Sequence, residues 1–483
     1  MSKTIQRART VAAIAAFGTL LSGFSGCPQT LTATLPAVDV GRASETSVAS
    51  QTIGLLTSTV VAFNDRGAFG SSHSGWAYFD NFHGDVRCDF APSSTATGCR
   101  TIPLPSSTMK WAGDPTVVAD GRGNVVYVTL LDETDNTYQG PVTLTRWVVA
   151  LVSTDGGQSF GDPLIINGDD CNGGEVDQPT ADFDRNISPQ ELHIAWRFKS
   201  KWPGTTYGGC YRGGMTIRNG QLHMPYPTHG IDNMFREYNF PDTRGQGGLV
   251  VRARGGHATV GFQAADYANC GDPIAMSWGL VHTDDYGGEW SDHSDRINHT
   301  PNFPLCVLTG DAVHQVGIRA FDMAREVTGR TWILTQGSKD SLSLAYSDDQ
   351  IHVNDLGAIF RPIGEGQSVL HPSIAVDSSN HVVVSYYTSD STDMRVARVA
   401  GGSANPAAGA DGNWGTVFLE SFGAALTDNT DKNPTQRELG DYDGISVNEW
   451  PGSSEFHLGW SAATPLGTAT GPEVFTTTVG FAP

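Results

Sequence analysis

The chain has 483 residues, among them 57 glycines, with 17% charged residues and a formal net charge of −21 at pH 7. Acidity on that scale excludes a nucleic-acid partner, because contact with a phosphate backbone needs a basic surface. The length exceeds one small core, and short apolar runs broken by glycine-rich turns point to a single large domain built from repeats.

Lys3, Arg7 and Arg9 precede the apolar run TVAAIAAFGTLLSGF, which is too short for a comfortable membrane span. It ends in Phe24-Ser25-Gly26-Cys27. Small residues before a cysteine resemble the lipobox of bacterial lipoproteins, with Phe24 in place of the usual leucine. The resemblance implies a signal peptide over residues 1–26, cleavage before Cys27 and lipidation of its thiol. Ordinary secretory cleavage nearby is the alternative, and both predict export. Pro28 follows the cysteine, so no acidic residue marks retention at an inner membrane. The expected location is the outer membrane or cell surface, or the periplasm or medium if no lipid is attached. Residues 27–44 read as a linker holding a possible ring-closing strand, and 45–483 as the repeat domain.

Three stretches set the repeat: DPTVVADGRGNVVYVTLL from Asp114, DQPTADFDRNISPQELHIAWRF from Asp177, and HPSIAVDSSNHVVVSYY from His371. Each has a polar residue, a Pro, a short strand ending in Asp, a turn, and a strand rich in β-branched and aromatic residues. Weaker copies start at Glu45, Gly248, Arg319 and Gly440. The intervals run from 52 residues (319 to 371) to 71 (177 to 248). Units of that size with four short strands predict an all-β, propeller-like fold. Seven units predict seven blades, or six if the Glu45 and Gly440 segments share one. The last unit holds three strands, ending in EVFTTTVGF, so TLTATLPAVDVG near the start is expected to supply its fourth.

The stretch LVSTDGGQSFGDP, residues 151–163, places Ser153, Asp155, Gly157, Ser159 and Phe160 in one turn. This pattern resembles the Asp-box (BNR repeat) of sialidases and related β-propellers. A second copy is Thr283-x-Asp285-x-Gly287-x-x-Trp290, and a degenerate one begins Ser347-x-Asp349. The local chemistry gives each residue a structural role. Asp155 accepts turn amides, Gly157 permits positive φ, and Phe160 packs between blades. The resemblance implies four-stranded blades with Asp-box hairpins between the third and fourth strands, away from the face that binds substrate.

Six cysteines remain besides Cys27, and an even number in an exported chain predicts disulfides. Six allow 15 connectivities. Pairing sequence neighbours keeps each bridge within or at the edge of one repeat: Cys88–Cys99, Cys171–Cys210 and Cys270–Cys306. None has zinc-ligand spacing.

The starts of the inner strands bring Glu45, Asp114, Asp177 with Gln178, Arg319, His371, and Asp441 with Tyr442 toward the mouth of a propeller channel. Two readings stay open: mutual hydrogen bonding around the axis, or a pocket of convergent carboxylates, arginine, histidine and tyrosine. The sialidase resemblance implies an exo-acting glycoside hydrolase with Tyr442 as nucleophile beside Glu438, and Asp114 as acid. Arg319, Asp177, His371 and Asp441 would hold an acidic sugar, with Arg252 or Arg254 imitating part of an arginine clamp. The early Arg-Ile-Pro type motif of sialidases is not found; the nearest string is Phe360-Arg361-Pro362-Ile363, far along the chain. The alternatives are a non-catalytic propeller that binds a glycan or envelope protein, and a polysaccharide lyase using His73 and His83. No cofactor is expected beyond a structural calcium at acidic loops such as 167–177 and 389–393. The expected state is a monomer that meets the membrane through its lipid anchor only.

Overall fold

The computed structural model describes residues 28–29, 35–38, 43–65, 74–81, 84–89, 104, 106–134, 144–167, 171, 175–199, 207–231, 249–265, 276–288, 290, 321–326, 329–338, 341–349, 352–360, 368–379, 381–389, 394–403, 418–427, 444–450, 453–462 and 473–481. Among these residues the protein is all-β, arranged as seven antiparallel sheets, and no helix is long and apolar enough to cross a membrane.

Sheet 1 comprises Ala43–Ile53, Leu56–Asp65, Ser74–Asp80 and Gly84–Asp89; sheet 2 comprises Met109–Ala119, Val125–Thr134, Leu144–Ser153 and Leu164–Ile165. Sheet 3 runs Glu175–Asp184, Glu191–Lys199, Tyr207–Arg218, with Gln221–His223 and His229–Gly230 both pairing with the third strand. Sheet 4 is Leu249–Arg254, His257–Ala265 and Met276–Thr283. Sheet 5 is Phe321–Arg325, Thr331–Ser338, Ser341–Ser347 and Asn354–Phe360. Sheet 6 is Ser368–Val376, His381–Ser389, Met394–Ser403 and Phe418–Thr427. Sheet 7 is Gly444–Trp450, Ser453–Ala462 and Glu473–Phe481, and onto that last strand pair both Pro28–Gln29 and Leu35–Val38.

The first strand of each sheet, here its inner strand, touches the inner strand of the next, and that of sheet 7 touches that of sheet 1. Apolar layers fill the spaces between sheets. Trp76, Tyr127 and Phe160 join sheets 1 and 2; Val126, Leu130, Phe183 and Trp196 join sheets 2 and 3. Tyr211, Val251 and Val260 join sheets 3 and 4; Trp332, Leu344, Ile374 and Val384 join sheets 5 and 6. Period-two alternation is why: in Met109–Ala119 every second residue is buried and the intervening ones face a more open side.

The polar-Pro step of the repeat is a bulge. The register shifts between Ser44 and Ser47, Gly113 and Thr116, Asp177 and Thr180, and Leu370 and Ser373. Asp114 and Gln178 take φ of 53° and 46° there, a left-handed conformation that costs a non-glycine residue about 1–3 kcal/mol. The neighbouring sheet holds it in place: Asp114 N donates to Asn64 Oδ1 (2.7 Å), and Gln178 N to Asp114 Oδ2 (3.3 Å). Just past the bulges, Val117 N donates to Ser47 Oγ (3.0 Å) and Ile374 N to Asp322 Oδ2 (3.0 Å), and on the inner strand of sheet 4 Val251 N donates to Thr180 Oγ1 (3.1 Å). The aspartates that end the inner strands satisfy the following turns. Asp120 Oδ1 accepts from Arg122 N and Asn124 N, and Asp377 Oδ1 from Ser379 N and His381 N.

The turn at 153–160 lies between the third and fourth strands of sheet 2. Ser153 Oγ donates to Asp155 Oδ1 (2.7 Å) and accepts from Gly157 N (2.8 Å), while Ser159 N donates to Asp155 Oδ1 (3.0 Å). Phe160 meets Trp76 of sheet 1 edge-on at 5.3 Å and Tyr127 at 5.6 Å. In sheet 4, Thr283 Oγ1 donates to Asp285 Oδ1 (2.9 Å) and accepts from Gly287 N (2.8 Å), and Trp290 packs edge-on against Tyr211 of sheet 3 at 5.1 Å. The turn after Ser347 differs, since Asp349 Oδ1 accepts from His352 N (2.7 Å). Cys171 and Cys210 form a disulfide, as their sequential pairing predicts. The side chain of Cys88, and Cys27, Cys99, Cys270 and Cys306, lie outside the described residues.

Candidate functional site

The inner strands of all seven sheets border one cavity of about 360 Å³. Consecutive residues of these strands border it, so its wall follows from the repeated inner strands. In most strands the bordering residues are small or neutral, among them Ser47 and Ala49, Thr116 and Val118, Ser373 and Ala375. Sheets 3, 4 and 5 differ. They contribute Asp182, Arg185, Arg252, Arg254, Asp322, Arg325 and Glu326.

Most of these charges are already engaged. Asp322 accepts from Arg252 Nη2 (3.2 Å), Ser373 Oγ (2.7 Å), Ile374 N (3.0 Å) and Met323 N (2.8 Å). Arg252 also donates to the carbonyls of Met323 (2.6 Å) and Val251 (2.8 Å), Arg185 to that of Ala119 (2.7 Å), and Arg254 to that of Glu326. Arg325 is less well served: Nη1 reaches the Arg252 carbonyl at 3.4 Å, and Nε finds no partner among the described residues. Burial pushes its guanidinium down to about 10, against the pull of Asp182. Asp182 borders the cavity's solvent from deep in the protein; burial raises its carboxyl, opposed by Arg252 and by the Ala253 N–H at 2.9 Å. An under-bonded guanidinium beside a carboxyl of raised pKa can bind an anionic oxygen and can exchange a proton.

The residues picked out in the sequence fall into three groups. Asp114, Asp177 and Gln178 stand at bulges, one or two positions before the lining residues Thr116 and Pro179. Asp114 holds Gln178 N, and Asp177 is ion-paired with Arg197, the residue opposite it on the next strand. Arg252 and Arg254 share a strand face and both line the cavity. Glu45 and His371 belong to inner strands, but their side chains lie outside the described residues, as do Arg319, Glu438, Asp441, Tyr442, His73 and His83 altogether.

Asp182, Arg185, Asp322, Arg325 and Glu326 are charged lining residues that sequence reasoning missed. Asp182 had a signal: it occupies the repeat position held by Val118 and Ala375 in the two strongest sister copies, a charge where the pattern is apolar. Arg325 ends the strand Phe321–Arg325, six positions after Arg319 in the sequence, and the sequence pattern does not choose between the two.

No protein-family model matches the chain, and no curated protein matches it. Among solved structures, the chain is similar to a protein of unknown function from Dyadobacter fermentans, with 14% identity and a TM-score of 0.41, over 79% of this chain and 97% of that one. It is similar to a polysaccharide lyase at 11% identity and a TM-score of 0.42, over 89% of each chain. It is also similar to the Trypanosoma rangeli sialidase, solved with sialic acid, at 11% identity and a TM-score of 0.39. That match covers 76% of this chain and 57% of the sialidase.

Proposed function

We propose that this protein is an exported, sialidase-like β-propeller that takes an acidic sugar at the central cavity and acts on it as an exo-acting glycoside hydrolase. The observation that carries the reading is Arg325, whose half-buried and under-bonded guanidinium lies with Asp182, Arg252 and Arg254 around one cavity. A sugar carboxylate would complete the hydrogen bonding of Arg325 and offset its desolvation. The cyclic succession of seven sheets supports seven blades, and the turn bonds at 153–160 and 283–290 support Asp-box hairpins. In this reading Tyr442 is the nucleophile beside Glu438. Asp114 or the cavity carboxyl of Asp182 is the acid, and no cofactor takes part. Cleavage before Cys27 and lipidation of its thiol would place the monomer at the cell envelope, with a glycan or an envelope protein as its partner.

A non-catalytic, glycan-binding role is the second reading. What favours it is that Asp114 and Asp177 are both committed to partners of their own, one to Gln178 N and one to Arg197. Fluorogenic sialosides and uronic-acid polysaccharides, tested on the purified protein with Tyr442→Phe and Arg325→Ala beside it, separate the readings. Turnover lost in both variants supports hydrolysis. Binding lost only in Arg325→Ala, without turnover in any form, leaves the binding role. Unsaturated products from a uronic-acid polymer would identify a lyase instead. Neither binding nor turnover of any acidic glycan would overturn the proposal.

A further inference from the structure

We infer that sheet 4 carries a binding site for a divalent transition-metal ion, formed by His257, His282 and Asp284. The three lie on one face of a strand pair. His282 and Asp284 are two positions apart along the chain, and the pairing of Ala258 with Thr283 sets His257 opposite Asp284. Their ligand atoms all fall within 4.8 Å of one another. His257 Nδ1 is 2.6 Å from Asp284 Oδ1, and His282 Nε2 approaches the same oxygen. Two imidazole nitrogens therefore converge on one carboxylate oxygen.

The neighbouring turn fixes the backbone around this group without using it. Thr283 and Gly287 are bonded to each other and Thr283 to Asp285, so Asp284 is held between two anchored residues while its own carboxylate stays outside the turn. The equivalent positions in other sheets show that the trio is not required by the turn. In sheet 2 they are Asn124, Val152 and Thr154. In sheet 5 they are Arg330, Tyr346 and Asp348, where Arg330 Nε meets Asp348 Oδ1 at 2.6 Å and the guanidinium lies 4.5 Å from the Tyr346 ring centre. A side-chain cation thus fills in sheet 5 the place that the two imidazoles and the carboxylate surround in sheet 4.

Two nitrogens and one oxygen suit zinc, copper, nickel or cobalt, and do not suit calcium or magnesium, which take oxygen ligands. Bonds of about 2.0–2.2 Å in a tetrahedral arrangement put donor atoms roughly 3.3 Å apart. His257 and Asp284 are 46% and 66% exposed and can separate by that small amount, leaving one position open to water. The ion would clip the second strand of sheet 4 to the end of the third.

The test is calorimetric titration of untagged protein with Zn²⁺, with Ca²⁺ and Mg²⁺ as controls. The expected result is one Zn²⁺ site per chain in the wild type, weakened about tenfold or more by His257→Ala, His282→Ala and Asp284→Asn, with no calcium or magnesium bound there. Electron paramagnetic resonance of the wild type with one equivalent of Cu²⁺ should show two nitrogen donors, a readout that needs no variant to fold. No zinc uptake by the wild type would overturn the site. So would unchanged affinity in the His257→Ala/His282→Ala double variant, or a copper spectrum without nitrogen donors.

Discussion

Gly157 has φ of 103°, and a Cβ there would come within 2.1 Å of Val60 Cγ2 in the preceding sheet. Gly121 also has positive φ, 74°, but nothing lies within 4 Å of its missing Cβ. Gly157→Ala should therefore cost about 2–4 kcal/mol, from strain and overpacking together, and Gly121→Ala about 1 kcal/mol from strain alone. Urea denaturation of both variants checks this, and equal losses would show that close packing at Gly157 does not matter. His193 sets a pH dependence. It is fully buried, its Nδ1 lies 2.6 Å from Tyr211 Oη, and burial pushes its imidazole down to about 4. The unfolded chain binds that proton near pH 6.5 and the folded chain only near 4, so protons favour unfolding in this window. Stability should fall as pH drops from about 6.5 to about 4, by on the order of 3 kcal/mol from this residue. Glu191, raised by burial, has the opposite sign and offsets part of the loss. Denaturation midpoints across that range, for wild type and His193→Gln, should converge at low pH if His193 is the cause.

The inner strands and their closing turns are the elements most legible in the sequence, because their chemistry is local. Asp120 and Asp377 bond amides two and four residues ahead, so the repeat itself displays the motif. The turn at Asp155 is legible for the same reason. What is not legible depends on partners from other strands. The engagement of Asp114 with Gln178 joins two sheets, and the meeting of His257 with Asp284 needs a strand register that no spacing reveals. The disulfide lies between these cases, since proximity in sequence favoured Cys171–Cys210 but an even count alone did not choose it. It closes a loop of 39 residues and ties the approach to sheet 3 to the third strand of that sheet. In the chain-entropy account such a loop is worth about 4 kcal/mol. A Cys171→Ala/Cys210→Ala variant should lose roughly that much in denaturant titration, and should become insensitive to reductant at this site.

Across the whole molecule, sheets 1 to 6 are each built from one continuous stretch of sequence, but sheet 7 also takes strands from the other end of the described chain. Pro28 pairs with Phe481 and Leu35 with Thr476, so the final strand is covered on its outer edge by the earliest ones. An uncovered strand edge is a template for pairing with other chains. This pairing also spans nearly the full sequence, and such non-local contacts form late because the loop they close is long. A circular permutant opened between sheets 5 and 6, within residues 361–367, with residue 481 joined through a short linker to residue 28, makes the same pairing local without dividing another sheet. It should refold faster than the parent while reaching the same sheet content, measured by stopped-flow and equilibrium circular dichroism. Equal refolding rates would mean that this step does not limit folding. The arrangement acts as a timer: a ribosome must deliver residue 481 before residue 28 meets its partner. Until then sheet 7 waits with an open edge, and the cell must keep it from finding a stranger.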